Sequence, residues 1–381
     1  MNDIYSLTHG RLNLKLPTET MWMNMGYWKN TTDFPTACEA LLVEVLKTAG
    51  VLSNNLEPED TNIILHGDVG DNSISILDLG FGCGDQTLFL SRMARGHCCF
   101  STESQRDENK HFANTFRLSE PALNTCHLSY VGITSNAAQA CLATKRLRCE
   151  HENLSCNEIG RVKMHLFVGD GAKPDTWTEK PLRAALEEAF FGSKQNFQGS
   201  EDHEGSEGGI KLQEGAIVAS VPRRWILALD TLYHFRPSRA ALFHYARTEL
   251  GASIMAFDIV RYSSSSDFSG GSAGDITFLN KIFLRMAAWL SGCSPQLDCS
   301  FPTQDEYINL IVRAGYSREK IEIRDVTDHV FAPLADFMAF QDQKLRVYGL
   351  GLGGGLRMAR WLFRWWAGGN VVRGVIMVAR V

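Results

Sequence analysis

The stretch Ile74-Ser75-Ile76-Leu77-Asp78-Leu79-Gly80-Phe81-Gly82-Cys83-Gly84-Asp85-Gln86 runs from a short apolar segment into three glycines at alternate positions, and residues 86–94 (QTLFLSRMA) then restore helical periodicity. This is the pattern of a strand, a glycine loop and a helix. Glycines so spaced let the backbone turn sharply out of the strand and approach a ligand closely, while the helix that follows offers free N–H groups. A dinucleotide fingerprint of the GxGxxG kind would need glycine where Asp85 stands. An acid there repels a pyrophosphate, so the loop is predicted to take a ligand that carries positive charge and no phosphates.

Further apolar runs of strand length follow at 128–133, 162–168, 225–229, 253–260, 320–326 and 374–380, and helical patterns at 136–147, 181–190, 237–250 and 302–314 separate most of them. Alternation of this kind predicts an α/β chain with a Rossmann-like, seven-stranded, mostly parallel sheet and helices on both faces. The last two runs flank a helical pattern at 356–367 and are predicted to close one sheet edge together. Upstream, residues 35–48 place Cys38, Leu41, Leu42 and Val45 at helical spacing, with Gly50 as a stop. The chain thus divides into an N-terminal helical segment, 1–69, contributing to a lid over the site, and one domain, 70–381. Three insertions interrupt that domain: a polar one at 96–126, a solvated and mobile one at 192–214, and a helical cap at 262–300.

The 381 residues are 44 % hydrophobic and 21 % charged, which excludes disorder over the whole length. Lys plus Arg number 38 against 43 Asp plus Glu, so no broad nucleic-acid footprint is expected. No secretory core occupies the first thirty residues and no apolar run approaches membrane-spanning length, so a cytoplasmic location is predicted. The ten cysteines are scattered and read as reduced thiols. Cys149, His151 and Cys156 lie close in sequence but lack a second ligand pair, so no metal is predicted.

Asp78-x-Gly80-x-Gly82-x-Gly84 resembles the first motif of the class I S-adenosylmethionine (SAM) dependent methyltransferases. Four further segments, in the family's order, are similar to that subgroup of it which methylates lipophilic small molecules, including the tocopherol, sterol and cyclopropane-fatty-acid enzymes. They are Asn24-Met25-Gly26-Tyr27-Trp28, Gly132-Ile133-Thr134-Ser135-Asn136-Ala137-Ala138-Gln139, Phe167-Val168-Gly169-Asp170-Gly171-Ala172 and Leu227-Ala228-Leu229-Asp230-Thr231-Leu232-Tyr233-His234-Phe235. The four motifs from Asp78 onward cover about residues 70–260, Asn24–Trp28 precedes them, and the likeness fades after residue 260.

The resemblance implies SAM as cofactor, with Gly80, Gly82 and Gly84 along its methionine part and Asp78 ordering its amino end. It implies Thr134 and Gln139 near the ribose, and Asp170, Gly171 and Ala172 at the adenine edge. Asp230 would back the amino group, and Tyr27 and Trp28 would close over the top. A competing register makes Cys98–Glu103 the second strand and supplies Glu103 to the ribose. His234, just past the fourth strand, is the candidate base, its alternative being a packed histidine bonded to a loop carbonyl; His329 is a second candidate.

The expected activity is methyl transfer to a small, lipophilic acceptor such as a secondary metabolite, quinol, terpenoid or sterol-like compound. A non-methylating step such as a cyclisation, or an RNA or protein methyltransferase, is the alternative. Arg357, Arg360 and Arg364 share one stripe of the C-terminal helix, with Met358, Trp361, Leu362, Trp365 and Trp366 mostly elsewhere. Peripheral membrane contact through 356–366 is one reading; a helix packed on the sheet with its arginines reaching water is the other.

Overall fold

A computed structural model describes residues 12, 20–52, 73–95, 127–152, 162–192, 223–262, 301–368 and 371–381. Apart from Gly192 and Tyr262, the three expected insertions lie outside the described residues.

The first helix, α1 (Phe34–Ala49), starts where the Asp33 side chain accepts from Thr36 N–H and stops where Gly50 turns left-handed, φ 73°. Then come β1 (Ser73–Leu79), α2 (Asp85–Ala94), β2 (His127–Thr134), α3 (Ala137–His151), β3 (Val162–Val168), α4 (Lys180–Phe191), β4 (Arg223–Leu229), α5 (Ala240–Thr248) and β5 (Ser253–Arg261). The chain ends with α6 (Gln304–Arg313), β6 (Ile321–Asp325), α7 (Phe331–Val347), α8 (Gly354–Gly368) and β7 (Val372–Ala379). The strands form one seven-stranded sheet in the order β3-β2-β1-β4-β5-β7-β6. The first five are parallel; β7 runs antiparallel to both β5 and β6. The closing pair expected at the edge is therefore present, with the last strand inserted inside the sheet.

Register settles the competing choice for the second strand. Asp78 of β1 pairs with Gly132 on one side and Leu227 on the other, so 127–134 holds the place for which Cys98–Glu103 competed. The inner strands read as continuous apolar runs because both faces of the sheet are covered there, whereas the edge strands β3 and β6 are more exposed. Along β1, Ile74 and Ile76 enter the core shared with α1, α2, α7 and α8, while Leu77 and Leu79 enter the core shared with α4, α5 and α6. Strand order reverses at β1, with β2 to one side and β4 to the other. A crevice between the carboxyl ends of such strands is where an open α/β sheet takes its ligand.

Helix α7 is absent from the sequence expectations. Its pattern is broken by Gln341 and Asp342, both buried. Tertiary partners satisfy them: Gln341 donates to the Leu12 carbonyl (3.2 Å), and Asp342 accepts from the Leu352 N–H (3.1 Å) and from Arg346.

Candidate active site

The glycine loop leaves β1 in a conformation that a side chain would not tolerate. Gly80 has φ 81°, and a Cβ built there would lie 2.7 Å from Thr231 Oγ1. At Gly84, φ 92°, a Cβ would lie 2.8 Å from that of Ala143 on α3. The first glycine thus lets the loop pass the end of β4, and the third lets α2 start against α3.

Asp78 anchors this loop from below. It is fully buried, and both carboxylate oxygens accept from Gln86 Nε2 (2.7 and 2.8 Å), with Tyr130 O–H donating to Oδ2. Tyr130 is also hydrogen-bonded to Thr87 (2.9 Å), so one polar network ties β1, β2 and α2 together. Burial pushes the Asp78 carboxyl up to about 7, against the lowering effect of its Tyr130 and Gln86 hydrogen bonds.

A cavity of about 660 Å³ opens at the carboxyl ends of the parallel strands. Gly80 and Gly82 border it from the loop after β1, Thr134 and Gln139 from the end of β2 and the start of α3, and Asp170, Gly171 and Ala172 from the turn after β3. Asp230 and His234 border it from the turn after β4. The structure thus gathers nine of the thirteen expected site residues. Asp78, Gly84, Tyr27 and Trp28 do not border it.

Tyr27 and Trp28 correct the expectation that they close the top. Both are buried. The Tyr27 ring meets His329 edge-on at 5.0 Å, and Trp28 packs on Phe34 and Phe337. The cause is Gly26, φ 75°, whose N–H is held by Asn24 Oδ1 at 2.9 Å; a Cβ there would lie 2.8 Å from that of Ala37. The chain turns at Gly26 into the core, and the residues before the turn, Met21, Trp22, Met23 and Asn24, border the cavity instead. His329 likewise stays with Tyr27, away from the cavity.

Asp85 does something that the sequence did not disclose. Both its oxygens accept from the Met21 N–H (3.1 Å each), and the Arg146 guanidinium grips both at 2.8 Å while also donating to the Cys83 carbonyl (2.8 Å). Only 5 % of the Asp85 side chain is exposed. Its charge is matched by Arg146, so the expected repulsion of phosphate gives way to a clamp that holds the 21–24 strap over the glycine loop. Met23 completes the contact, its sulfur accepting from Gln139 Nε2 at 3.4 Å.

Electrostatics separate the remaining polar groups. Asp230 stands at φ 62° as a non-glycine residue, a costly conformation that concentrates at functional sites. Burial pushes its carboxyl up to about 7 although Tyr233 O–H (2.7 Å) and the Met25 N–H both hydrogen-bond it. Neither partner carries a charge that would offset desolvation. His234 is held down at about 3 by burial first, then by Arg239 and Arg236. Both effects favour the neutral imidazole. Asp170 is half exposed; it accepts from the Ala172 N–H at 3.0 Å and pairs with Lys173 at 3.2 Å.

No protein-family model matches the sequence, and no curated protein is similar to it. Solved structures do match the fold. The cyclopropane synthase MmaA2 from Mycobacterium tuberculosis is similar with a TM-score of 0.55 at 11 % identity, over 99 % of this chain and 95 % of that one. The mycolic acid cyclopropane synthase CmaA1 complexed with SAH and CTAB gives 0.54 at 13 % identity, over 100 % and 94 %. Its apo form gives 0.51 at 15 % identity, over the whole of both chains. The chain has the class I methyltransferase fold. In that methyltransferase fold the cavity lies at the reversal of strand order, bordered by the glycine loop and by the ends of β2, β3 and β4.

Proposed function

We propose that the protein binds SAM and transfers its methyl group to a small, lipophilic acceptor. The observation that carries this reading is the Asp230 carboxylate, held at φ 62° on the border of the cavity beside Gly80, where no Cβ would fit. Such a carboxyl gains most from a cationic ligand, and the alternate glycines leave backbone close to it. When bound, SAM supplies an electrophilic methyl on a sulfonium together with an α-ammonium. Gly80 and Gly82 would run along its methionine part, with Asp230 at its ammonium, Thr134 and Gln139 near its ribose, and Asp170 with Gly171 and Ala172 at its adenine edge. Gly84 and Asp78 would act one layer back, by packing α2 on α3 and by holding the loop.

In-line displacement asks the protein to align the acceptor and exclude water more than to move protons. Met21, Trp22 and Met23 suit that task, since their thioethers and indole add apolar groups to the lining of the cavity. A hydrocarbon-rich acceptor gains from these groups, whereas a polyanion would face Asp170 and Asp230. His234 is the candidate base. With its conjugate acid near 3 it accepts a hydrogen bond from an acceptor O–H or N–H without titrating, and it is a weak base for full proton removal.

Titration calorimetry with SAM, followed by mass spectrometry of a lipophilic substrate panel incubated with methyl-labelled SAM, tests the proposal. Micromolar SAM affinity and label in an organic-extractable product support it. Absence of SAM binding overturns it, and binding with rearranged but unlabelled product points to a non-methylating step on the same fold.

A further inference from the structure

The ion pair Arg364–Asp336 (2.8 Å) lays the outer stripe of α8 beside that of α7. On α7, Asp336, Phe340, Lys344 and Val347 recur at helical spacing, and on α8, Arg357, Trp361 and Arg364 do the same. The inner side of α8 is core: Trp366 is buried and packs with Phe331 and Phe363. Packing against α7 is therefore one half of the helix's role.

The outer side is an apolar surface open to solvent. Phe340 is 54 % exposed, Trp361 53 %, Val347 81 %, Tyr348 78 % and Leu350 62 %. Trp361 stacks on Trp365 with centroids 6.4 Å apart, and Lys344 sits 4.3 Å over the Phe340 ring. These residues run from the helix faces to the tip of the α7–α8 hairpin, where the Gly-rich turn 349–353 joins the helices. Charge distinguishes the partner. Residues 331–368 hold five basic side chains against two acidic ones, in a chain whose net charge is −5. An exposed apolar tip with Lys344, Arg357 and Arg360 on the helices that flank it, and with indole and phenol rings among its side chains, suits the interface of an anionic bilayer. Among the described residues no helix is long and apolar enough to cross a membrane, so the hairpin would lie on the surface.

We propose that the α7–α8 hairpin docks the protein on anionic lipid surfaces, with Val347, Tyr348, Leu350 and Trp361 entering the headgroup layer and Lys344, Arg357 and Arg360 meeting lipid phosphates. The inference does not depend on methyl transfer, because it concerns a surface and not the cavity. Each basic residue near an anionic surface is worth about fivefold in partitioning, so losing two should weaken it about 25-fold.

Co-sedimentation with vesicles of phosphatidylcholine containing phosphatidylglycerol, against pure phosphatidylcholine, tests it on the full chain. Binding is expected only to the anionic vesicles, weakened by high salt, by the charge-removing pair Arg357→Gln and Arg360→Gln, and by Val347→Glu with Leu350→Glu. The exposed tip lets these variants keep their melting temperature, and SAM titration confirms an intact cavity. No anionic-vesicle binding by the wild type overturns the proposal; so does binding that the tip variants leave unchanged. Light scattering that shows a dimer split by Val347→Glu would assign the surface to a second copy and overturn it equally.

Discussion

Asp230 should make SAM affinity depend on pH in the range where its carboxyl titrates, near 7. An ammonium is held by the ionised form, so the dissociation constant rises by the factor 1 + 10^(7 − pH). That factor is about 1.3 at pH 7.5 and about 33 at pH 5.5, a weakening of roughly 25-fold or about 2 kcal/mol. The upper pH is kept below the range, about 7.7–8.0, in which an α-amino group itself titrates. Calorimetric titration with SAM at both pH values measures the effect. Asp230→Asn should bind more weakly at pH 7.5 and lose the slope, since its side chain does not titrate. Asp78→Asn should keep the slope, because Asp78 titrates in the same range but does not border the cavity. A wild-type change of less than about threefold, or a slope that survives in Asp230→Asn, would refute the assignment of Asp230 to the ammonium.

Asp78 should also shape stability. Its folded-state carboxyl is raised above the unfolded value, so its contribution is complete below pH about 4 and is lost as pH rises through about 7, by at most about 4 kcal/mol. Denaturant midpoints from pH 4 to 8 should therefore slope less in Asp78→Asn than in the wild type. Gly80→Ala adds a Cβ 2.7 Å from Thr231 Oγ1 at a positive φ, and should cost about 2 kcal/mol or more in thermal stability as well as SAM binding. Asp85→Asn weakens the clamp on the strap. Hydrogen exchange at the Met21 amide should accelerate at least about tenfold without SAM present, and unchanged exchange would show that the strap is held elsewhere. Because His234 stays neutral above pH about 4, the wild-type rate profile should carry no limb from it between pH 5 and 8. If His234→Ala removes a limb in that interval, the imidazole titrates there and the assignment fails.

Most of the sheet was legible because its strands are covered on both faces. Burial on two sides makes β1, β2, β4, β5 and β7 read as apolar runs, and the helices between them supply the second period. Helix α7 escaped for the opposite reason: Gln341 and Asp342 occupy buried positions that only Leu12, Leu352 and Arg346 make tolerable. Much of the cavity's border was legible too, since Gly80 and Asp230 directly follow strands, Thr134 ends one and Asp170 stands two residues past another. The part contributed by the N-terminal segment was not. Tyr27 and Trp28 carry the recognisable pattern, yet Gly26 turns them into the core and leaves Met21–Asn24 at the cavity.

By itself the sequence determined what local chemistry dictates: the order of the strands and of most helices, the glycine loop after β1, and the strand-end residues that border the cavity. Those features depend on neighbours within a few positions, and the chain carries them wherever it folds. The tertiary structure alone decided the rest. Arg146 lies 61 residues from Asp85 and converts an acid read as a phosphate repeller into the clamp on the strap. Burial, set by the whole packed core, brings Asp78 and Asp230 near neutrality and takes His234 out of the physiological range. Proton affinity depends on the dielectric and charges that packing assembles around a group, and no spacing along the chain encodes these directly.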